Sequence, residues 1–223
     1  MSALVQFDDD CGTVDSQHVF EAIAADLLEK GYSINPNAVP ADLLSELWQQ
    51  LRSMPSHQFD SAGVGRQQAH TVNSFIRSDA ISWIERDTPA GEDWLNWAAE
   101  LQQYLNRRLF LGLFSFESHF SHYAPGDFYK KHRDAFKGQS NRVLSVVLYL
   151  NPDWMPDDGG ELALYHGEQS QSVLKVTPSM GTLVAFLSKE FPHEVLPAKR
   201  DRYAIAGWFR VNTTSTGRAD PPD

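Results

Sequence analysis

His132 and Asp134 stand two residues apart in His132-Arg133-Asp134, and a second histidine, His193, lies far down the chain. On an extended strand, residues i and i+2 point to the same side, so the first two side chains can reach one ion together. Two imidazoles and a carboxylate occupy one side of a metal and leave the opposite positions open. That donor set suits Fe(II), which must keep room for O2 and a further ligand. Alone, His-x-Asp is weak: the chain has eight His and 29 Asp plus Glu, and a solvated surface pair is the better explanation of one such triplet. Arg202 adds weight. Leu196-Pro197-Ala198-Lys199-Arg200 separates it from His193, and a hairpin turn centred between Pro197 and Ala198 would set 193 and 202 opposite each other on adjacent strands. A guanidinium there can hold a carboxylate through two parallel hydrogen bonds. Iron beside such an arginine fits 2-oxoglutarate, whose 2-oxo acid end chelates the metal while its far carboxylate needs a cation.

Something must bring these residues together. The first half of the chain reads as helical. Asp15 or Ser16 can cap a helix with Val19, Phe20, Ile23 and Leu27 inward, ended by Lys30-Gly31. A short strand follows at 31–34. Pro40 suits the first turn of a second helix bearing Leu43, Leu47, Trp48 and Leu51, stopped by Pro55. Residues 55–73 are polar, contain Gly63 and Gly65, and have no helical period; they read as a mobile loop or a hairpin. The run 76–85 is strand-like, Thr88-Pro89-Ala90-Gly91 punctuates it, and a third helix spans about 92–108.

From Leu111 the period changes to two: Phe114, Phe116, Ser118 and Phe120 alternate with Ser115, Glu117, His119 and Ser121. Short β-runs then recur at 128–131, 143–150, 161–165, 172–176, 182–187, 192–195 and 203–211. The expected fold is α+β: N-terminal packing helices on a double-stranded β-helix, the jelly-roll, cupin-like architecture. The expected organisation is a disordered N-terminus at 1–12, a single domain at 13–211 (helical 13–110, jelly-roll 111–211) and a flexible tail at 212–223.

Composition narrows the partners. A net charge of −10 and only short basic doublets argue against nucleic acid, and no apolar run approaches the ~18 residues of a membrane span. The N-terminus has no basic stretch followed by an apolar one, as a secretory leader would. The single cysteine, Cys11, allows no internal disulfide and fits a cytoplasmic setting. His119 and His122 fall on opposite faces of one strand and His166 sits in a turn; none of the three reads as a ligand.

The segments IRSDAISWIE at 76–85, HYAPGDFYKKHRD at 122–134, VVLYLNPDW at 146–154, GGELALY at 159–165 and PHEVLPAKRDRYAIAGWF at 192–209 carry a resemblance. In this order they resemble the prolyl 4-hydroxylase superfamily of Fe(II)/2-oxoglutarate dioxygenases, and most of all bacterial relatives of the hypoxia-sensing, egg-laying-nine type. The resemblance implies Fe(II) held by His132, Asp134 and His193, with 2-oxoglutarate and O2 as cosubstrates and ascorbate as a candidate reductant. It also implies Arg202 as the carboxylate clamp, Tyr123, Tyr129 and Trp208 around the cosubstrate pocket, and Arg77, Asp79 and Trp83 toward the substrate. Two positions depart from the pattern. Where the hypoxia-type enzymes carry a tyrosine that bonds the far carboxylate, the expected alignment puts Leu148; where they carry a threonine four residues after the arginine, Ala206 stands. The clamp would then be completed by Tyr123, Tyr129 or water.

The implied activity is hydroxylation of a peptidyl proline in a cytosolic protein. Two alternatives stay open: a hydroxylase of a free amino acid or other small metabolite, and a cupin-like module that binds metal or 2-oxoglutarate without turnover.

Overall fold

The computed structural model describes residues 16–62, 76–135, 141–167 and 173–212. Its helices are α1 (Ser16–Lys30), α2 (Ala41–Ser53) and α3 (Pro89–Leu109). Its strands are β1 (Tyr32–Asn35), β2 (Asp60–Ser61), β3 (Ala80–Trp83), β4 (Leu113–Tyr123), β5 (Tyr129–His132), β6 (Arg142–Tyr149), β7 (Leu162–Tyr165), β8 (Val173–Val176), β9 (Leu183–Leu187), β10 (His193–Val195) and β11 (Arg202–Val211). They form a seven-stranded sheet, ordered β1-β9-β6-β11-β4-β3-β2, and a four-stranded sheet, ordered β5-β10-β7-β8. All pairings are antiparallel.

Period-two alternation divides the large sheet into two working faces. Phe120 of β4, Leu144, Val146 and Leu148 of β6, and Ile205 and Phe209 of β11 join Ile23, Leu47, Trp94, Leu101 and Leu105 in the helix-side core. The Trp94 indole donates to Ser118 Oγ at 3.0 Å, which satisfies the polar end of a fully buried ring. The opposite face brings Tyr123, Tyr149, Phe186 and Ala204 against Leu162, Leu164 and Val195 of the small sheet. Helices therefore cover one side of the large sheet, and the jelly-roll interior lies on the other. Central β11 pairs with β4 on one edge and β6 on the other, so it ties both faces together. Its Gly207 admits no side chain, because a Cβ there would lie 2.6 Å from the Phe116 ring.

Several boundaries differ from expectation for local reasons. Pro40 keeps an extended backbone (φ −51, ψ 143), so α2 begins at Ala41 with Pro40 as its N-cap residue. Thr88-Pro89 does not merely punctuate: the Thr88 hydroxyl accepts from Gly91 N at 3.1 Å and Pro89 occupies the first turn, which starts α3 before position 92. In the run 76–85 only Ala80–Trp83 pairs as a strand, because Arg77 and Asp79 bond each other and residue 77 makes an isolated bridge to Tyr129. The expected N-terminal disorder at 1–12, residues 63–73 of the 55–73 loop and all but the first residue of the tail lie outside the described residues.

Candidate active site

β5 is a short strand at the edge of the small sheet, and β10 lies beside it with His193 directly opposite His132. The two rings sit 4.2 Å apart between centroids. Asp134, just beyond β5, stands between them: Oδ1 is 3.7 Å from His132 Nε2 and Oδ2 is 3.6 Å from His193 Nε2. All three candidate ligand atoms lie within 4.8 Å of one another.

Both imidazoles are oriented from behind. His132 Nδ1 lies 2.7 Å from the Lys130 carbonyl oxygen and His193 Nδ1 lies 3.2 Å from that of Phe191. A carbonyl only accepts, so each Nδ1 carries a proton and each Nε2 is turned toward the centre. Burial, and next the neighbouring His193, push the His132 imidazole down to about 3, which keeps it in the neutral, ligating form. Burial opposes the charge on Asp134, yet His193, His132, Arg142 and the Ser145 hydroxyl hold its carboxyl well below the usual range. Ser145 Oγ donates to Asp134 Oδ2 at 2.7 Å and is itself 2.8 Å from Ser188 Oγ. Neutral imidazole nitrogens and an ionised, oriented carboxylate are what a borderline divalent ion such as Fe(II) requires. The donor set fits.

The carboxylate end is built by β11, β4 and β6. Arg202 is 2% exposed. It pairs in register with Tyr123 rather than with His193, because β10 and β11 belong to different sheets; the segment 196–201 is a crossover between sheets and not a hairpin turn. The guanidinium carbon lies 5.1 Å from the ring of Tyr123 and 5.1 Å from that of Tyr149. Its Nε donates to the Gly160 carbonyl at 2.7 Å. Gly159 and Gly160 are both left-handed (φ +71 and +70), and a Cβ on Gly160 would meet Ala198 Cβ at 2.9 Å and Arg202 Cδ at 3.1 Å. The GG pair is thus the seat of the arginine.

No carboxylate pairs with Arg202 among the described residues, an arrangement that calls for an anionic ligand. The Tyr149 hydroxyl beside it is buried and has no hydrogen-bond partner among the described residues. Burial pushes that hydroxyl up to about 12, so it stays protonated and able to donate. This corrects the assignment of the clamp tyrosine position to Leu148. Leu148 belongs to the helix-side core, and the group beside the arginine is Tyr149. Counting by twos from Ser145 places Ser145, Val147 and Tyr149 on one face of β6, so the signal was present in the strand itself. Ser145 and Gly160 escaped notice because they act through Asp134 and Arg202.

The remaining candidates form two aromatic groups. Tyr129 stacks on His132 at 3.5 Å between centroids, and the Arg77 guanidinium lies 4.7 Å over the Tyr129 ring. Arg77 in turn holds buried Asp79 through contacts of 2.5 and 2.9 Å. Trp208 lies under the Arg142 guanidinium at 3.6 Å, and exposed Trp83 connects to it only through His119, 5.2 Å from Trp83 and 5.4 Å from Trp208. His122 pairs with Asp201 at 2.7 Å and His166 is exposed; neither joins the His132–Asp134–His193 group.

Comparison with known proteins accords with this geometry. The family model of the 2OG-Fe(II) oxygenase superfamily matches residues 118–210. A crystal structure of a Pseudomonas putida prolyl-4-hydroxylase is 38% identical, with a TM-score of 0.77 over 86% of this chain and 98% of that one. A Trichoplax adhaerens prolyl hydroxylase, solved with a hypoxia inducible factor peptide fragment, is 28% identical with a TM-score of 0.76 over 87% and 90%. Human Egl nine homolog 1 is 29% identical over 143 residues, 60% of this chain and 33% of that protein. The chain spans less than half the length of the curated relatives it matches. With the double-stranded β-helix, the His-Asp-His group and a near full-length relative in agreement, the chain belongs to the 2OG-Fe(II) oxygenase superfamily, dioxygenases that use Fe(II), 2-oxoglutarate and O2.

Proposed function

We propose that this chain is a cytoplasmic prolyl 4-hydroxylase acting on a peptidyl proline, with one catalytic domain spanning 13–211. The observation that carries the prolyl assignment is the likeness along nearly the whole of the P. putida prolyl-4-hydroxylase. His132, Asp134 and His193 are the iron ligands in this reading, and Arg202 with Tyr149 receives the far carboxylate of 2-oxoglutarate. Bound Fe(II) supplies the oxidation in which O2 gives one oxygen atom to a prolyl C–H and the other to 2-oxoglutarate, which leaves as succinate and CO2.

The chain's own residues hold and shield. Arg202, seated on Gly160, gives a fixed fork for the carboxylate, and the Tyr149 hydroxyl donates a further bond to it. Ser145 keeps the Asp134 carboxylate in one orientation. The aromatic walls of Tyr123, Tyr129 and Trp208 exclude water from the reacting centre. In this reading Arg77 and exposed Trp83 meet the peptide, and buried Asp79 acts by holding Arg77. Cytoplasmic residence is supported by the single cysteine, and among the described residues no helix is long and apolar enough to cross a membrane.

The test is incubation of the purified protein with Fe(II), 2-oxoglutarate, ascorbate and a cytosolic extract, followed by mass spectrometry for one added oxygen on proline. The expected result is 2-oxoglutarate-dependent oxidation at C4 of a proline within a protein. Turnover of a free amino acid as fast as any peptide would replace this reading with the metabolite hydroxylase.

A further inference from the structure

His119 is a buried titratable side chain that takes no part in the metal group or the carboxylate clamp. It alternates with Ser121 and Tyr123 on the cavity-side face of β4, across from Ala206 of β11 and Trp83 of β3. Its Nδ1 lies 3.2 Å from the Phe120 carbonyl oxygen and 3.1 Å from the Ser121 hydroxyl. In the tautomer that satisfies the Phe120 carbonyl, Nδ1 donates to it, the Ser121 hydroxyl adds a second contact, and Nε2 is an acceptor. Burial, and next the charge of Arg77, push the imidazole down to about 3, so no second proton is taken up near neutrality.

Nε2 makes no hydrogen bond among the described residues. The ring is bracketed by two indoles, that of half-exposed Trp83 at 5.2 Å and that of buried Trp208 at 5.4 Å. A row of rings thus runs from the open surface to the interior, with an unused acceptor in its middle. A ligand that brings a donor to Nε2 gains a hydrogen bond that the chain itself does not supply.

We propose that His119 is a specificity-determining residue for the peptide substrate, its Nε2 accepting a hydrogen bond from a backbone N–H of the bound chain while Trp83 and Trp208 hold the imidazole in place. The proposal rests on the peptidyl-proline reading and deepens it. A free amino acid has no amide N–H, only a charged ammonium, so a response to methylation at a single backbone amide reports this contact for a polypeptide alone.

The probe is the peptide carrying the proline found oxidised in the extract, together with its counterparts N-methylated at one backbone amide at a time. In the wild type, one methylated position should raise the peptide KM about five- to tenfold, the loss of one net hydrogen bond. His119→Asn keeps a polar group at the Nδ1 position and none at Nε2; it should raise the KM of the unmethylated peptide by the same factor and no longer respond to that methylation. His119→Gln carries an amide oxygen to the Nε2 position and should restore most of the affinity. If Asn and Gln behave alike, or if methylation and His119→Asn add independently at every position, His119 is a core histidine that props Trp208 and the proposal is overturned. Should no peptide be oxidised in the extract at all, it is the prolyl-peptide reading that falls, and this inference with it.

Discussion

Asp134 is the residue on which the charges of the centre converge. Its carboxylate is buried, faces two imidazole Nε2 atoms and is oriented by Ser145. An open three-donor site has no spare ligand, so His132→Ala, Asp134→Ala and His193→Ala should each abolish turnover and stoichiometric iron binding. Iron content measured on the three purified variants checks this; full binding in all three would remove the triad. At the other end, Arg202→Ala takes away a buried charge partner, a loss of about 2–5 kcal/mol. The 2-oxoglutarate KM should rise about thirtyfold or more. Arg202→Lys should be partly active, because an ammonium lacks the planar fork. Tyr149→Phe should raise the same KM about tenfold, the value of one hydrogen bond to a charged group. A defect in Arg200→Ala that equals that of Arg202→Ala would refute the placement, since Arg200 is exposed. His119 also predicts a pH dependence. Its folded value, about 3, lies below its ordinary 6.5, so the unfolded chain binds the extra proton. The stability it contributes is whole above 6.5 and is lost as pH falls from there toward 3. Denaturant titrations across that window should show a slope about one proton shallower in His119→Gln than in the wild type.

The strands and turns that seat these side chains are as exacting as the side chains themselves. Gly160 combines a left-handed backbone, a carbonyl that accepts from Arg202 and a Cα with no room for a methyl group. Gly160→Ala should therefore destabilise the fold by roughly 1–3 kcal/mol and raise the 2-oxoglutarate KM, without touching the carboxylate directly. Calorimetry and steady-state kinetics on one preparation test both, and an unchanged KM would show that Arg202 needs no such seat. At this level the sequence was partly legible. Periodicity revealed the helical first half, the alternation in β4 and the short strands that follow. It misassigned the 193–202 connection as a hairpin, because nine residues suit either a turn or a crossover, and only the second sheet decides between them. Motif alignment points to Leu148 for the position beside the arginine, whereas counting by twos along β6 from Ser145 points to Tyr149. Thr88 was read as an interruption although its hydroxyl caps α3, since a cap and a loop use the same residue types.

Taken whole, the molecule sets a helix layer against one face of a seven-stranded sheet and closes the other with four short strands. That arrangement lets residues sixty positions apart become cross-strand neighbours, as His132 and His193 are. That His132, Asp134 and His193 come together, and that Arg202 is buried near Tyr123, was legible because such chemistry restricts residue type as well as position. Ser145, Tyr149 and His119 were not, because their roles depend on which face of a strand they occupy. The most direct measurement supplies isotopically heavy O2 together with 2-oxoglutarate and the extract-derived proline peptide, and follows the label by mass spectrometry. The expected outcome is heavy oxygen on C4 of the peptidyl proline, formed in step with succinate in the wild type and absent in Asp134→Ala. Succinate formed at the same rate in Asp134→Ala, or a proline hydroxyl that carries no label from O2, would contradict it.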